Sequence, residues 1–164
     1  MTVARPLPRA STAARLLPAV LVGVLALAGC SSDAERDGAG AVTAADDVSV
    51  DRLRVGDCLI TPADGVVEDL AAVPCGQEHD GEVFHAFDLP DGDFPGAEPV
   101  QAAGEAGCLA RFEEFVGTVF DDSELGLLPL TPVAEGWAAG NQGVVCIVQD
   151  EQGGLTGTLR AAER

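Results

Sequence analysis

Apolar and polar positions follow different rules in different parts of this chain. Residues 16–27 form an unbroken run, Leu-Leu-Pro-Ala-Val-Leu-Val-Gly-Val-Leu-Ala-Leu. At 12 residues it is too short to span a bilayer and has the length of a signal-peptide core. From Val48 the pattern changes to alternation. Val48, Val50, Leu53 and Val55, with one slip, predict a strand that turns at Gly56-Asp57 and resumes through Cys58-Leu59-Ile60-Thr61. Pro62-Ala63-Asp64-Gly65 predicts a turn, and a short segment follows at Val73-Pro74-Cys75. Residues 82–87 predict a strand buried on both faces, with Val83 and Phe87 to one side and Phe84 and Ala86 to the other. Residues 88–96, rich in Asp, Pro and Gly, break it.

A helix is predicted over residues 99–120. Cys108, Phe112, Phe115, Val116, Val119 and Phe120 recur at helical spacing as one apolar stripe, and Glu105, Arg111, Glu113 and Glu114 fall off it. Pro99 suits a first turn, whereas Gly104 and Gly107 weaken the early part. A strand at 127–130, a turn region through Trp137 and a strand at 144–149 follow. Residues 150–154 then predict a hairpin onto a last strand at 155–160. The order β-β-β-α-β-β-β predicts an α+β domain with one main helix packed on a mostly antiparallel sheet.

The N-terminus supplies the address. Arg5, Arg9 and Arg15 precede the apolar run, which ends in Leu27-Ala28-Gly29-Cys30. This resembles the lipobox of bacterial lipoproteins, in which the thiol of the residue after the cut takes a diacylglyceryl group. The expectation is a signal peptide over 1–29, lipidation of Cys30, a flexible tether over 30–47 and a folded domain over 48–164. The tether is small, polar and aperiodic, with a random-coil reach of roughly 20–25 Å. The expected location is the outer face of the cytoplasmic membrane, held there by the lipid on Cys30.

Charge narrows the partners. The chain carries −18, with 27 Asp and Glu against nine Lys and Arg. Loss of the three leader Arg takes the mature chain to −21. A basic footprint for nucleic acid is absent, so no nucleic acid partner is expected. Partners that are cationic, neutral or bridged by divalent cations fit better. The expected partners are the membrane, through the lipid, and an unknown envelope protein or wall component.

Four cysteines remain beside Cys30: Cys58, Cys75, Cys108 and Cys146. An even count in an exported domain predicts two disulfides, for which three connectivities exist. The expected pairs are Cys58–Cys75, bracketing a short strand–loop excursion, and Cys108–Cys146. The latter ties the buried stripe of the helix to the middle of the 144–149 strand.

An ordered set of short motifs spans residues 48–160. They are Val55-Gly56-Asp57-Cys58, Val73-Pro74-Cys75, His79-Asp80-Gly81-Glu82-Val83, Cys108, Trp137 with Gly140, Val144-Val145-Cys146, and Gly154-Leu155-Thr156-Gly157-Thr158-Leu159-Arg160. On these the domain resembles the septum formation domain of actinobacterial envelope proteins. Glu78 stands where that pattern often has Pro, Asn141-Gln142 where it often has Asp-Arg, and Thr131-Pro132 where it usually has Pro-Thr. The resemblance implies an extracytoplasmic, envelope-associated module linked to the division septum.

The inventory for chemistry is thin. Beyond the tether the only serines are Ser49 and Ser123, with no Lys, no Tyr and no Gly-x-Ser-x-Gly. No enzymatic activity and no cofactor are expected. His79 is expected as a hydrogen-bonding turn residue and His85 as a satisfied buried one. The acidic loop from Asp88 to Asp93 is a weak Ca²⁺ candidate that lacks the ligand spacing of an EF-hand. The candidate ligand contacts are Trp137, His79 and Asp80. The expected function is a lipid-anchored, non-enzymatic binding or assembly module. The alternatives are a small ligand- or metal-binding sensor domain, or a wall-active hydrolase with paired acids.

Overall fold

The fold is described from a computed structural model, which covers Met1, residues 33–61 and residues 67–164. The segment expected to be a signal peptide (beyond Met1), Cys30 and the turn expected at 62–65 lie outside the described residues. Six strands are present: β1 (Asp46–Ser49), β2 (Cys58–Ile60), β3 (Asp69–Val73), β4 (Gly81–Asp88), β5 (Gly126–Leu130) and β6 (Gly143–Gln149). They form one sheet in the order β1-β3-β2-β4-β6-β5, every pair antiparallel. A long helix, α1 (Ala97–Val116), and a short one, α2 (Ala134–Ala138), complete the elements. This is the α+β architecture expected, one main helix on an antiparallel sheet.

Alternation along β6 divides the core in two. Val144, Cys146 and Val148 join the helix-side cluster with Val100, Cys108, Phe112, Phe115 and Val116. Val145 and Ile147 join Leu59, Leu70, Ala72 and Val83 on the other side. Strand side chains alternate between faces, so these are the two faces of one sheet. Two disulfides are present, Cys58–Cys75 and Cys108–Cys146. The second crosses from α1 to β6 with Cα atoms 5.5 Å apart.

The helix is shorter at its C-terminal end than its stripe predicts. Gly117 takes φ 92° and donates its N–H to Glu113 O, a left-handed stop that ends α1 at Val116. Val119 is therefore exposed, while Phe120 returns to meet Phe112 edge-on at 5.1 Å. Gly104 and Gly107 are close-approach positions. A Cβ at Gly107 would collide with the Phe87 ring, and one at Gly104 with the Thr131 methyl.

Four other expectations are corrected. Residues 155–160 form no strand, because β6 already has β4 on one edge and β5 on the other. Leu155 instead makes a single antiparallel bridge with His79. Second, the register of β4 shifts between Val83 and His85, so Phe87 packs with Phe84 on the helix side instead of sharing a face with Val83. Ala86 is exposed. Third, the strand expected across 48–55 is β1 followed by a 3₁₀ turn at Val50–Arg52, and Val55 is exposed.

Fourth, residues 33–47 are not a free tether. Ala34, Val42 and Val48 are buried on the sheet face opposite α1, and β1 pairs with β3 along its length. Asp37 Oδ1 accepts from the N–H groups of Ala39 and Ala41, closing a turn. Arg36 forks onto Asp57, Nη1 to Oδ1 at 2.5 Å and Nη2 to Oδ2 at 2.9 Å. Both side chains are removed from solvent (8% and 2% exposed), so the pair is desolvated as well as bidentate. The bond to Asp57, above all, holds the Arg36 guanidinium charged. A few small apolar side chains, the buried Arg36–Asp57 pair and an exposed Arg52–Asp33 pair order a segment that has no helical or strand periodicity.

Candidate functional site

The three candidate ligand contacts are built into the fold. His79 is 1% exposed. Its Nδ1 lies 2.8 Å from Gln77 O, an acceptor only, so Nδ1 donates. Asp80 Oδ1 accepts from Thr61 N–H and Thr61 Oγ1, tying the end of β2 to the approach to β4. Trp137 sits in α2, 7% exposed, with Nε1 donating to Gly92 O at 2.7 Å and its ring edge-on to Phe94. His79 and Asp80 precede Gly81, where β4 meets Gln149, whereas Trp137 stands at the end where Asp88 meets Gly143. The seven steps of β4 separate these ends by roughly 23 Å. The three residues therefore do not form one site.

A different group of residues converges. A cleft of about 260 Å³ lies between β4, α1 and the C-terminal segment, lined by Phe84, His85, Arg111, Glu114, Phe115 and Arg160. The irregularity in β4 makes it. His85 pairs with Cys146, whose sulfur is bonded to α1, and Phe84 lies in the same helix-side cluster. Two successive side chains thus serve one face, as a bulge allows.

On α1, Arg111, Glu114 and Phe115 follow at i, i+3 and i+4, which places them side by side on the helix surface. Arg111 Nη1 donates to Glu114 Oε2 at 3.1 Å. The Phe84 and Phe115 rings meet at 5.6 Å and floor the cleft. The Arg160 guanidinium lies over Phe115, 4.5 Å from the ring centroid, a cation–π geometry.

Arg160 is held there by a buried acid. Glu82, 3% exposed, accepts from Thr158 Oγ1 and from Leu159 N–H at 2.6 Å. Glu82 fixes the backbone immediately before Arg160 and leaves the guanidinium itself without an ion-pair partner among the described residues.

His85 was expected to be buried and satisfied. It is half-buried, and its ring stacks on Phe87 at 5.6 Å. Burial, then the nearby Arg111 charge, hold its pKa below the ordinary imidazole value, with Glu114 opposing. The cleft therefore presents two guanidiniums, one carboxylate and an imidazole biased toward neutrality. In a chain of 27 acids it is a local reversal of charge.

A second cleft, of about 310 Å³, includes Val50, Leu53, Ala86, Phe87 and Val145, with Asp51 and Asp88 as its charged groups. It offers no cation and no convergence of donors. No group of three metal-ligating side chains occurs among the described residues, and no helix among them is long and apolar enough to cross a membrane.

Comparison with known proteins adds a family and two relatives. A family described as septum formation matches residues 55–164. Two uncharacterized membrane proteins of Mycobacterium tuberculosis, from strains CDC 1551 / Oshkosh and ATCC 25618 / H37Rv, are each 33% identical over 114 residues. The match covers 62% of this chain and 25% of either relative, so the chain spans about a quarter of the length of the curated relatives it matches. No solved structure matches.

Proposed function

This chain belongs to the septum formation family, and on that premise we propose that it is a non-enzymatic binding or assembly module of the cell envelope, held outside the membrane by a lipid on Cys30. Kinship with membrane proteins fits an envelope-associated role. The observation that carries the binding reading is the cleft. It gathers two of the six arginines of the mature chain onto an aromatic floor, and its lining includes no hydroxyl or thiol nucleophile.

Other features support the same reading. Cys58, Cys75, Cys108 and Cys146 are all oxidised. Ser123 Oγ is engaged with Arg164 O. Glu114 is the only acid in the cleft lining, against the two carboxylates a glycosidase needs. The lipid anchor rests on the Leu-Ala-Gly-Cys motif after a short apolar run.

Three measurements test the proposal. Radiolabelled palmitate should enter the wild-type protein and not Cys30→Ser, which should leave the membrane fraction; label in the variant overturns the anchor. Wild-type protein should retain an envelope protein or wall component that Arg160→Gln loses. Release of soluble fragments from purified peptidoglycan would replace the binding reading with a hydrolytic one.

A second reading, a sensor of a small extracytoplasmic ligand, is favoured by one observation. The cleft is smaller than the 300–1,000 Å³ typical of ligand pockets, which suits a small molecule or the end of a longer one.

A further inference from the structure

We propose that the cleft between α1, β4 and Arg160 binds the C-terminal carboxylate of a short peptide with small side chains. This rests on the binding reading above and names its ligand.

Arg160 gives the first reason. In a chain where acids outnumber bases three to one, its guanidinium lies over Phe115 without an ion pair among the described residues. Its backbone is fixed by Glu82, so the head is presented and not left to search. A guanidinium is a planar fork that matches a carboxylate with two parallel N–H donors.

The charge count gives the second. Arg111 and Arg160 against Glu114 leave one net positive charge, with His85 biased toward its neutral form. One positive charge matches a carboxylate. It does not match a phosphate, whose two charges would also face Glu114. The domain-wide negative charge does not override this at contact range, because physiological salt screens charges more than about 8 Å away.

Composition and size give the third. Glu114 is an acceptor at the rim, suited to the backbone N–H next to a terminal carboxylate. Phe84 and Phe115, 5% and 4% exposed, line the base of the cleft and leave only a narrow apolar strip beside Arg160, enough for a small side chain. At about 260 Å³ the space has room for the last residue or two of a chain.

The test is an NMR titration of the folded, oxidised protein with N-acetyl-alanyl-alanine and, separately, its C-terminal amide. The acid should shift the side-chain N–H signals of Arg111 and Arg160 and the ring signals of His85. The amide should bind at least about tenfold more weakly, the worth of one charge-assisted hydrogen bond. Free acetate should shift the same signals at higher concentration, and inorganic phosphate should not displace the dipeptide. Arg160→Gln should abolish the preference for acid over amide, and Arg160→Lys should restore part of it, with thermal unfolding of both variants near wild type. If either variant unfolds, Arg111→Gln in the intact fold supplies the same comparison. Equal binding of acid and amide, displacement by phosphate, or no shift at millimolar dipeptide overturns the proposal. Such a failure with Arg160-dependent capture of an envelope partner intact removes the carboxylate assignment and spares the binding reading. Loss of both removes both.

Discussion

The two faces of the sheet are closed by opposite means. On one, a 20-residue helix lays Phe112, Phe115 and Val116 over β4 and β6 and is bonded to β6 through Cys108–Cys146. On the other, an extended strap contributes Ala34, Val42 and Val48 and is fixed by Arg36 on Asp57. The helix side depends on large apolar area and a covalent tie. The strap side depends on modest area, the β1–β3 ladder and one desolvated ion pair. Apolar burial is non-directional and tolerates small changes, whereas a buried ion pair loses most of its value when one partner goes. The two faces should therefore fail differently.

Removing the Cys108–Cys146 bond, as a double Ala variant, should have the largest effect. Closing a loop across a sequence separation of 38 stabilises by about 4 kcal/mol in the chain-entropy model, out of roughly 5–15 for a small domain. Chemical denaturation should show a large loss of stability across the whole domain. A loss under about 1 kcal/mol would mean that helix packing alone closes that face.

Asp57→Ala comes next, at about 3 kcal/mol, because Arg36 is then left buried without its partner. Its signature should be local: faster exchange and proteolysis in residues 33–49 while α1 stays protected. Uniform loosening of both faces would break the contrast.

Glu82→Gln should cost about 1–2 kcal/mol, the price of weakening charge-assisted bonds to Thr158 and Leu159. The C-terminal segment should fray first, and Arg160 should lose its seat over Phe115.

The smallest effect is a titration. Burial and Arg111 depress the His85 pKa, so the folded chain takes this proton less readily than the unfolded one. His85's contribution to stability is full above the ordinary histidine value and is lost as pH falls from that value toward the folded one. An NMR titration of His85 should show Arg111→Gln moving its midpoint up and Glu114→Gln moving it down. An unmoved midpoint in both would remove those charges from the account.

The helix side was largely legible in the sequence. Cys108, Phe112, Phe115 and Val116 repeat at 3.6-residue spacing, and Cys146 stands in the middle of an apolar strand, so helix, strand and their covalent tie follow together. The helix end was missed because Val119 and Phe120 continue the spacing past Gly117, and spacing does not report a left-handed turn.

The strap was illegible for a different reason. Ala34 and Val42 are too sparse to form a pattern, and the buried ion pair that fixes the segment joins residues 21 apart in sequence. The cleft was also missed. Arg111 and Arg160 are 49 positions apart and meet only through a strand irregularity and a C-terminal turn. Their scarcity in an acidic chain is the one signal that could have pointed to them.

That both faces of the sheet are closed, with residues 33–49 belonging to the fold, is tested most directly by native-state hydrogen exchange. Amides of Thr43 and Val48, whose N–H groups pair with Glu35 O or within the sheet, are the ones to follow beside those of α1. Exchange is expected to be slow at both positions and sensitive to Asp57→Ala. Exchange there at the rate of an unstructured peptide, with α1 still protected, would return residues 33–47 to the status of a tether and contradict the account.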